Sequence, residues 1–580
     1  LTLSLSSGRR LAALVVVALV FVVVLVVAPG EAGAVTREVF PGQSIASAVS
    51  AASPGDVVVV HEGTYPRQVI SAKKAAPGVT VVGVSQRGTV VQGLTVAGAS
   101  NVTFRSLTVT NVVGDANEAV KVYSGASGIT FDGLFVANRS SGAIGIHNYG
   151  GAPRGIVVQA SEVDGSGAAS GRNVWVGDVA SGDPSTWPRD VVIRGNDLYG
   201  AGSDIVHISG GANVTVDGNL IHDPQANDDH NDGIQVTAAQ GLVITGNEIT
   251  GPGAWTCSTC VPPDQGIILG HDPNRPTYRV ADTLVANNLI HHWRGKGLHI
   301  GGADDTRVVN NTITHLGPAG TTTAAALTVV EAHGVNNQLS IWNNIIDRYS
   351  QGTLTVPVAY LDWNCTRQGA KGPNDITADP RFTDTTGSFD IAPDSPCLDR
   401  GTTRPETPTT DFTRRTRDTR PDIGAQESSA STSSTTSTTS STSSTSSTST
   451  STSSTTSTTS TTSTTAPPTT TTTPSTTTTT AAASAPRSTS FSGSFGRKGG
   501  STTFAFAAGS GEISASVVPS SARVRLTLDL LASDGAVLRR VTGRGQLSLS
   551  AVVGRADTYV VRVTSSQRIR FDVRVTWPSP

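Results

Sequence analysis

Two polar stretches hold most of the residue types that could do chemistry. The first is Asn227-Asp228-Asp229-His230-Asn231-Asp232-Gly233-Ile234-Gln235. Its oxygens are the donors of a hard cation such as Ca²⁺, which takes about six to eight of them. Asp228, Asp229 and Asp232 are the expected metal ligands, although the spacing is not that of an EF-hand. A polar turn held by its own Asx hydrogen bonds is the other reading. The second stretch is His291-His292-Trp293-Arg294-Gly295-Lys296-Gly297-Leu298-His299, which contains one of only six Lys residues in the chain. Removal of a proton next to a carboxyl group, with departure of an oxygen, needs a base, an acid and a positive charge. Lys296, His299 and His230 are the candidates for base and acid, provided that burial or a nearby cation tunes them. Arg294 or a bound cation would neutralise the carboxylate, and Trp293 would stack on a sugar ring. Against this stands the reading in which Lys296 and Arg294 pair with Asp residues on a solvated surface. The same three Asp residues could instead supply the two carboxylates of a glycoside hydrolase.

The elements that would position these residues follow from an internal repeat. An octet with apolar residues at positions one, three and eight recurs at Val102–Val109, Ile129–Val136, Ile156–Val163, Val191–Leu198, Val214–Ile221, Leu242–Ile249 and Leu339–Ile346. Thr283–Ile290 and Thr306–Ile313 fit with Thr at position one. Such alternation marks strands with one buried face. The shortest spacing between octets is about 23 residues, the length of one coil of a parallel β-solenoid. Position six is Asn196, Asn219, Asn247, Asn288, Asn311 and Asn344 in successive coils. Stacked amides can bond one another and the turn backbone, so a ladder is expected.

A second strand follows most octets, as Val120-Lys121-Val122, Ile144-Gly145-Ile146, Val206-His207-Ile208, Ile234-Gln235-Val236, Ile267-Ile268-Leu269, Leu298-His299-Ile300 and Leu327-Thr328-Val329. The outer residues of each triplet face the core and the middle one points outward. If coils stack in register, Asp204, His207, Asp232, Gln235, Lys296 and His299 line one patch. Asp204, His207 and Gln235, with Trp293, are the expected substrate contacts.

The rest of the chain divides by composition. Arg9 and Arg10 precede an apolar run, Leu11 to Ala28, and Ala32-Gly33-Ala34 offers a cleavage site. Residues 1–34 are expected to be a signal peptide, or else an uncleaved membrane anchor, with the bulk of the chain outside the cytoplasm. Cys257, Cys260, Cys365 and Cys397 suit disulfides better than a Cys₄ zinc site, because the second pair is far apart. Residues 428–490 are a Ser/Thr-rich linker that no core can hold together. Residues 491–580 alternate again and predict a small antiparallel sandwich. From Arg487 onward there are 13 basic and 5 acidic residues, which leaves the remainder net acidic. No nucleic acid is expected as a partner; an acidic body also suits a polyanionic ligand poorly, but local charge, a bound cation and the basic tail matter more than the sum.

Residues 35–427 resemble the secreted bacterial right-handed parallel β-helix proteins of the pectate-lyase superfamily. The likeness lies in Pro41-Gly42-Gln43-Ser44-Ile45, Ser53-Pro54-Gly55-Asp56-Val57 and Glu62-Gly63-Thr64-Tyr65 at the start. It returns in Asp379-Pro380-Arg381-Phe382, Ser395-Pro396-Cys397-Leu398-Asp399 and Pro421-Asp422-Ile423-Gly424-Ala425-Gln426-Glu427 at the end. The resemblance implies an all-β chain: a right-handed parallel β-helix, the linker, and a small C-terminal β-sandwich. His230-Asn231-Asp232-Gly233-Ile234-Gln235 is similar to a pattern in polysaccharide-acting members, which implies roles for His230, Asp232 and Gln235. One fold hosts many activities. The expectation is a lyase on a uronic-acid-containing extracellular glycan, with an epimerase or hydrolase next. The rival is a non-catalytic glycan-binding surface protein that reaches the cell envelope through its stalk.

Overall fold

The computed structural model describes residues 34–428 and 487–578. Left out of these are 169–170, 178–182, 226–230, 252–264, 272–274, 276–277, 294, 317–324, 370, 386, 496–499, 510, 520–523, 534–536, 545–546, 554–556 and 566–568. The expected signal segment, the Ser/Thr-rich linker and Cys257 and Cys260 therefore lie outside the described residues. Among the described residues no helix is long and apolar enough to cross a membrane.

Each octet folds as two short strands at a corner. In one coil these are Ser100–Arg105 and Thr108–Thr110, and the following triplet becomes the strand Val120–Tyr123. Each strand pairs in parallel with its counterpart one coil on, as Val102↔Ile129, Val109↔Val136 and Val120↔Ile144. Three parallel sheets thus wrap one bore, and their strands join a 32-stranded array. Octet positions one, three and eight fill the bore: Val191, Ile193 and Leu198 are buried, as are Val214, Val216 and Ile221. Thr283 and Thr306, the two exceptions at position one, are buried as well.

The Asn ladder sits at the corner between the first and second sheets. Asn196 Nδ2 donates to Asn219 Oδ1 at 2.9 Å, and the Asn196 amide shares that oxygen at 3.0 Å. The same pair of bonds links Asn219 to Asn247, Asn247 to Asn288, Asn288 to Asn311 and Asn311 to Asn344. The structure adds a seventh member, Asn364, whose amide and Nδ2 both bond Asp375 Oδ1. Each rung needs only an acceptor from the next coil, so a carboxylate can end the series.

The residue before each ladder Asn is in the left-handed region. It is Gly195, Gly218 and Gly246 in three coils, and Asn287, Asn310 and Asn343 in the next three. Gly and Asn tolerate this conformation best. The change from Gly to Asn coincides with a returning C-terminal strap. Asn287 Nδ2 donates to the Thr410 carbonyl, Asn310 Nδ2 to Asp422 and Gly424, and Asn343 Nδ2 to Thr402. Buried Arg417 ties the strap down through Glu427 and Asn287.

Both ends of the bore are closed. At one end Ser44 caps the helix Ile45–Ala51, accepting from the Ser47 amide at 3.1 Å, and Ile45 and Val49 face inward. Ser at this position satisfies a backbone donor that the first turn leaves open. At the other, Ile345, Ile391 and Ile423 pack around the Cys365–Cys397 disulfide. Terminal coils need such covers because no neighbour buries them.

The C-terminal region is two four-stranded antiparallel sheets with its own core, including Leu526, Leu528, Val561, Val563, Val573 and Val575. Its first strand, Arg487–Phe495, pairs with the last, Ile569–Trp577. It therefore starts ahead of the expected boundary at 491.

Candidate functional site

The third sheet presents one outward residue per coil, and the register sets their order. Lys121, Gly145, Trp175, His207, Gln235, Ile268, His299 and Thr328 are successive neighbours. Three residues upstream in each coil is a second outward position. It supplies Glu118, Arg172, Asp204, Asp232, Gln265 and Lys296, with Gln265 directly beside Lys296. The residues expected to form one patch do lie along this face, because the triplet strands stack without slipping a residue.

Lys296 and His299 are in direct contact on this face. Nζ lies 3.1 Å from His299 Nδ1. His299 is 6 % exposed, and burial, then the charge of Lys296, depress its pKa to about 4. The imidazole is therefore neutral near pH 7. With Nδ1 receiving from the lysine, the hydrogen belongs on Nε2. Among the described residues that Nε2 is buried without a hydrogen-bond partner, and so are Gln265 Oε1 and Thr328 Oγ1 on the adjoining coils. Buried polar atoms are nearly always satisfied, so an unpaired strip of this kind is unusual and marks the place on this face where a partner is lacking. Gly301 keeps this strip narrow: a Cβ there would come within 2.5 Å of His333 Cδ2.

Three and two coils earlier the carboxylates of Asp204 and Asp232 do different work. Asp204 Oδ2 is 2.7 Å from His207 Nδ1, and its Oδ1 receives the Asp232 amide at 3.3 Å. Asp232 in turn accepts the Gln265 amide at 2.7 Å and Gln235 Nε2 at 3.4 Å. Each acid thus reaches to the next coil and fixes it. Asp232 is fully buried with one oxygen committed to backbone, which makes it a poor member of the expected cation site. Among the described residues no three His, Cys, Asp or Glu side chains gather as metal ligands. Asp228, Asp229, His230 and Arg294 lie outside the described residues.

Trp293 is corrected outright. It is 0 % exposed and belongs to the hydrophobic bore, so no sugar can stack on it. His292 before it has φ 52°, and this left-handed corner turns the next side chain inward. His315 and Leu316 repeat the arrangement one coil on. Trp175 does point outward, from the triplet Val174-Trp175-Val176, which is absent from the expected set. Its signal was legible: Arg172-Asn173-Val174-Trp175-Val176 has the layout of Asp204-Ile205-Val206-His207-Ile208.

Three histidines with shifted pKa values predict a pH dependence of stability. Burial also lowers His271 to about 4, aided by Arg279. For His271 and His299 the folded pKa lies below the ordinary 6.5, so the stability they contribute is whole above 6.5 and is lost as pH falls toward 4. His222 has the opposite sign. Burial would lower it, but hydrogen bonds to Asp197 and Asp223, each under 3 Å, outweigh that and raise it to about 9. Its contribution is whole below 6.5 and is lost as pH rises through 9. Thermal unfolding followed against pH should peak near 6.5, and His222→Gln should flatten the alkaline limb alone. A melting temperature that keeps climbing to pH 9 in the wild type would contradict this.

The described residues between 34 and 428 fold as a parallel β-helix. Residues 176–320 match the family model described as a right handed beta helix region. No curated protein matches the chain. Among solved structures it is similar to an alginate lyase from Paenibacillus sp., at 17% identity and TM-score 0.38, covering 52% of this chain and 99% of that one. It is also similar to a mannuronan C-5 epimerase A-module from Azotobacter vinelandii, at 15% identity and TM-score 0.41, covering 58% and 96%. A third is the catalytic unit of an α-1,3-glucanase from Streptomyces thermodiastaticus, at 14% and 0.32, covering 60% and 71%. These likenesses are of fold, and the three neighbours are a lyase, an epimerase and a hydrolase.

Proposed function

We propose that the chain binds an acidic polysaccharide along the third sheet and cleaves it by β-elimination at Lys296 and His299. The observation that carries this is the lysine–imidazole pair beside the open, buried Nε2 of His299. After losing a proton to solvent, Lys296 takes the proton next to the sugar's carboxyl group. A double bond forms in the ring, and the bond to the leaving sugar breaks with its electrons on oxygen. His299 Nε2–H protonates that oxygen, and Lys296 returns its proton to Nδ1 across the 3.1 Å contact. The pair ends with its proton count unchanged but with the imidazole hydrogen on Nδ1 instead of Nε2, and proton exchange with solvent restores the starting tautomer before the next turnover. No step runs through a cation. The proposal includes an extracellular location, supported by the apolar stretch from Leu11 to Ala28 and the Cys365–Cys397 disulfide.

The test is incubation of the full chain with polymannuronate, polyguluronate, polygalacturonate and glycosaminoglycans. New ultraviolet absorbance from unsaturated ends supports elimination. New reducing ends without that absorbance point to hydrolysis. Retention on a glycan without turnover identifies the face as a binding surface.

A further inference from the structure

Four coils before Lys296, in the same outward row, stands Arg172, which the proton transfer above does not use. Its Nε lies 3.4 Å from Asp204 Oδ2, and its guanidinium carbon lies 4.8 Å from the centre of the Trp175 ring. Trp175 is itself held, with Nε1 donating to Ser209 Oγ at 2.8 Å and the His147 ring set edge-on at 5.0 Å. One coil earlier the row holds Gly145, where a Cβ would fall 2.3 Å from His147 Nε2, so the glycine makes room for this seat. The arginine side chain is 29% exposed. Among the described residues Nε makes its hydrogen bond, while Nη1 and Nη2 make none.

A guanidinium stacked on an indole and anchored at one edge presents its remaining N–H groups in a fixed plane. That fork matches the two oxygens of a carboxylate and loses little freedom on binding. We propose that Arg172 is the receptor for a uronate carboxylate at a subsite remote from the reacting pair. Coils lie about 4.8 Å apart, which puts this subsite roughly 19 Å from the Lys296 coil. An extended chain lying along the row reaches both only if it is several sugars long. The inference rests on the glycan-binding reading of this face, and it adds the substrate's charge and length.

The experiment is calorimetric titration of the full chain with a hexasaccharide of a polyuronate and with its carboxyl-reduced counterpart. Arg172→Gln should weaken binding of the acidic hexasaccharide about tenfold, and Arg172→Lys should recover only part of the loss because it keeps charge without the fork. The carboxyl-reduced hexasaccharide should bind wild type and Arg172→Gln alike, which separates carboxylate recognition from a structural effect on Asp204. Equal affinity of wild type and Arg172→Gln for the acidic hexasaccharide, with turnover intact, overturns the subsite alone. Tight binding that depends on Arg172 but without turnover supports the subsite and retires the elimination reading. A wild-type chain that binds no acidic hexasaccharide overturns both.

Discussion

Lys296→Ala should cut turnover of an acidic glycan by roughly 10³-fold, within the range that a positioned acid or base supplies. The stem of Lys296 is half-buried on the outer face of the strand Lys296–Gly302 and fills no part of the bore. Its loss leaves the bore intact and orphans one buried acceptor, His299 Nδ1, so stability should fall by about 1–3 kcal/mol and the protein should stay folded. The variant also removes the partner of His299 Nδ1 and the positive charge that helps depress its pKa. The His299 resonance in the variant should accordingly titrate at higher pH than in the wild type, measured by NMR. That shift is a readout that a bystander lysine on a solvated surface would not move. A folded Lys296→Ala protein with full turnover would end the assignment.

Asn288→Ala should cost roughly 3–9 kcal/mol, although the side chain touches no candidate site residue. Asn288 Oδ1 receives both the amide and Nδ2 of Asn247, and its Nδ2 donates to the Ile244 carbonyl at 2.9 Å and to Asn311 Oδ1. Alanine leaves three of those groups buried without their bonds, and each such group costs about 1–3 kcal/mol. The loss falls at one interface between coils, because a solenoid's stability is close to a sum over neighbours. Hydrogen exchange should speed up first at the amides of Asn247 and Asn288, with the coils near Ser44 protected for longer. Uniform loss of protection along the chain would show that the ladder acts globally instead. Asn288→Asp is expected to be worse than alanine, since it places a charge where only Asn364, at the end of the series, meets a carboxylate.

The reading of Trp293 shows where sequence reasoning stops. Polar residues flank it on both sides, and nothing in His291-His292-Trp293-Arg294 says that His292 adopts a left-handed corner. One corner residue inverts the side chain that follows, and which corners are left-handed depends on how the coil must close over its neighbour. Trp175 is different: its triplet Val174–Val176 is as short as Ile144–Ile146 and Leu327–Val329, and the same alternation marks it in the sequence. Asp232 was read as a ligand from its oxygen, whereas the next coil's amide claims that oxygen. No local pattern reveals a partner 33 residues away.

By itself the sequence determined the coil, its strands and its Asn corner. A side chain that must fill the bore, or an amide that must bond its copy in the next coil, is constrained at every repeat and so leaves a period. It also set the outward order of His207, Gln235 and His299, because alternation along a strand leaves no other choice. The tertiary structure alone decided which polar groups satisfy each other and which stay open. Asp204 and Asp232 are consumed by neighbouring coils, Trp293 is buried, and His299 keeps an unclaimed nitrogen beside Lys296. Those outcomes depend on distances between residues far apart in the chain, and such distances exist only once the coils have stacked.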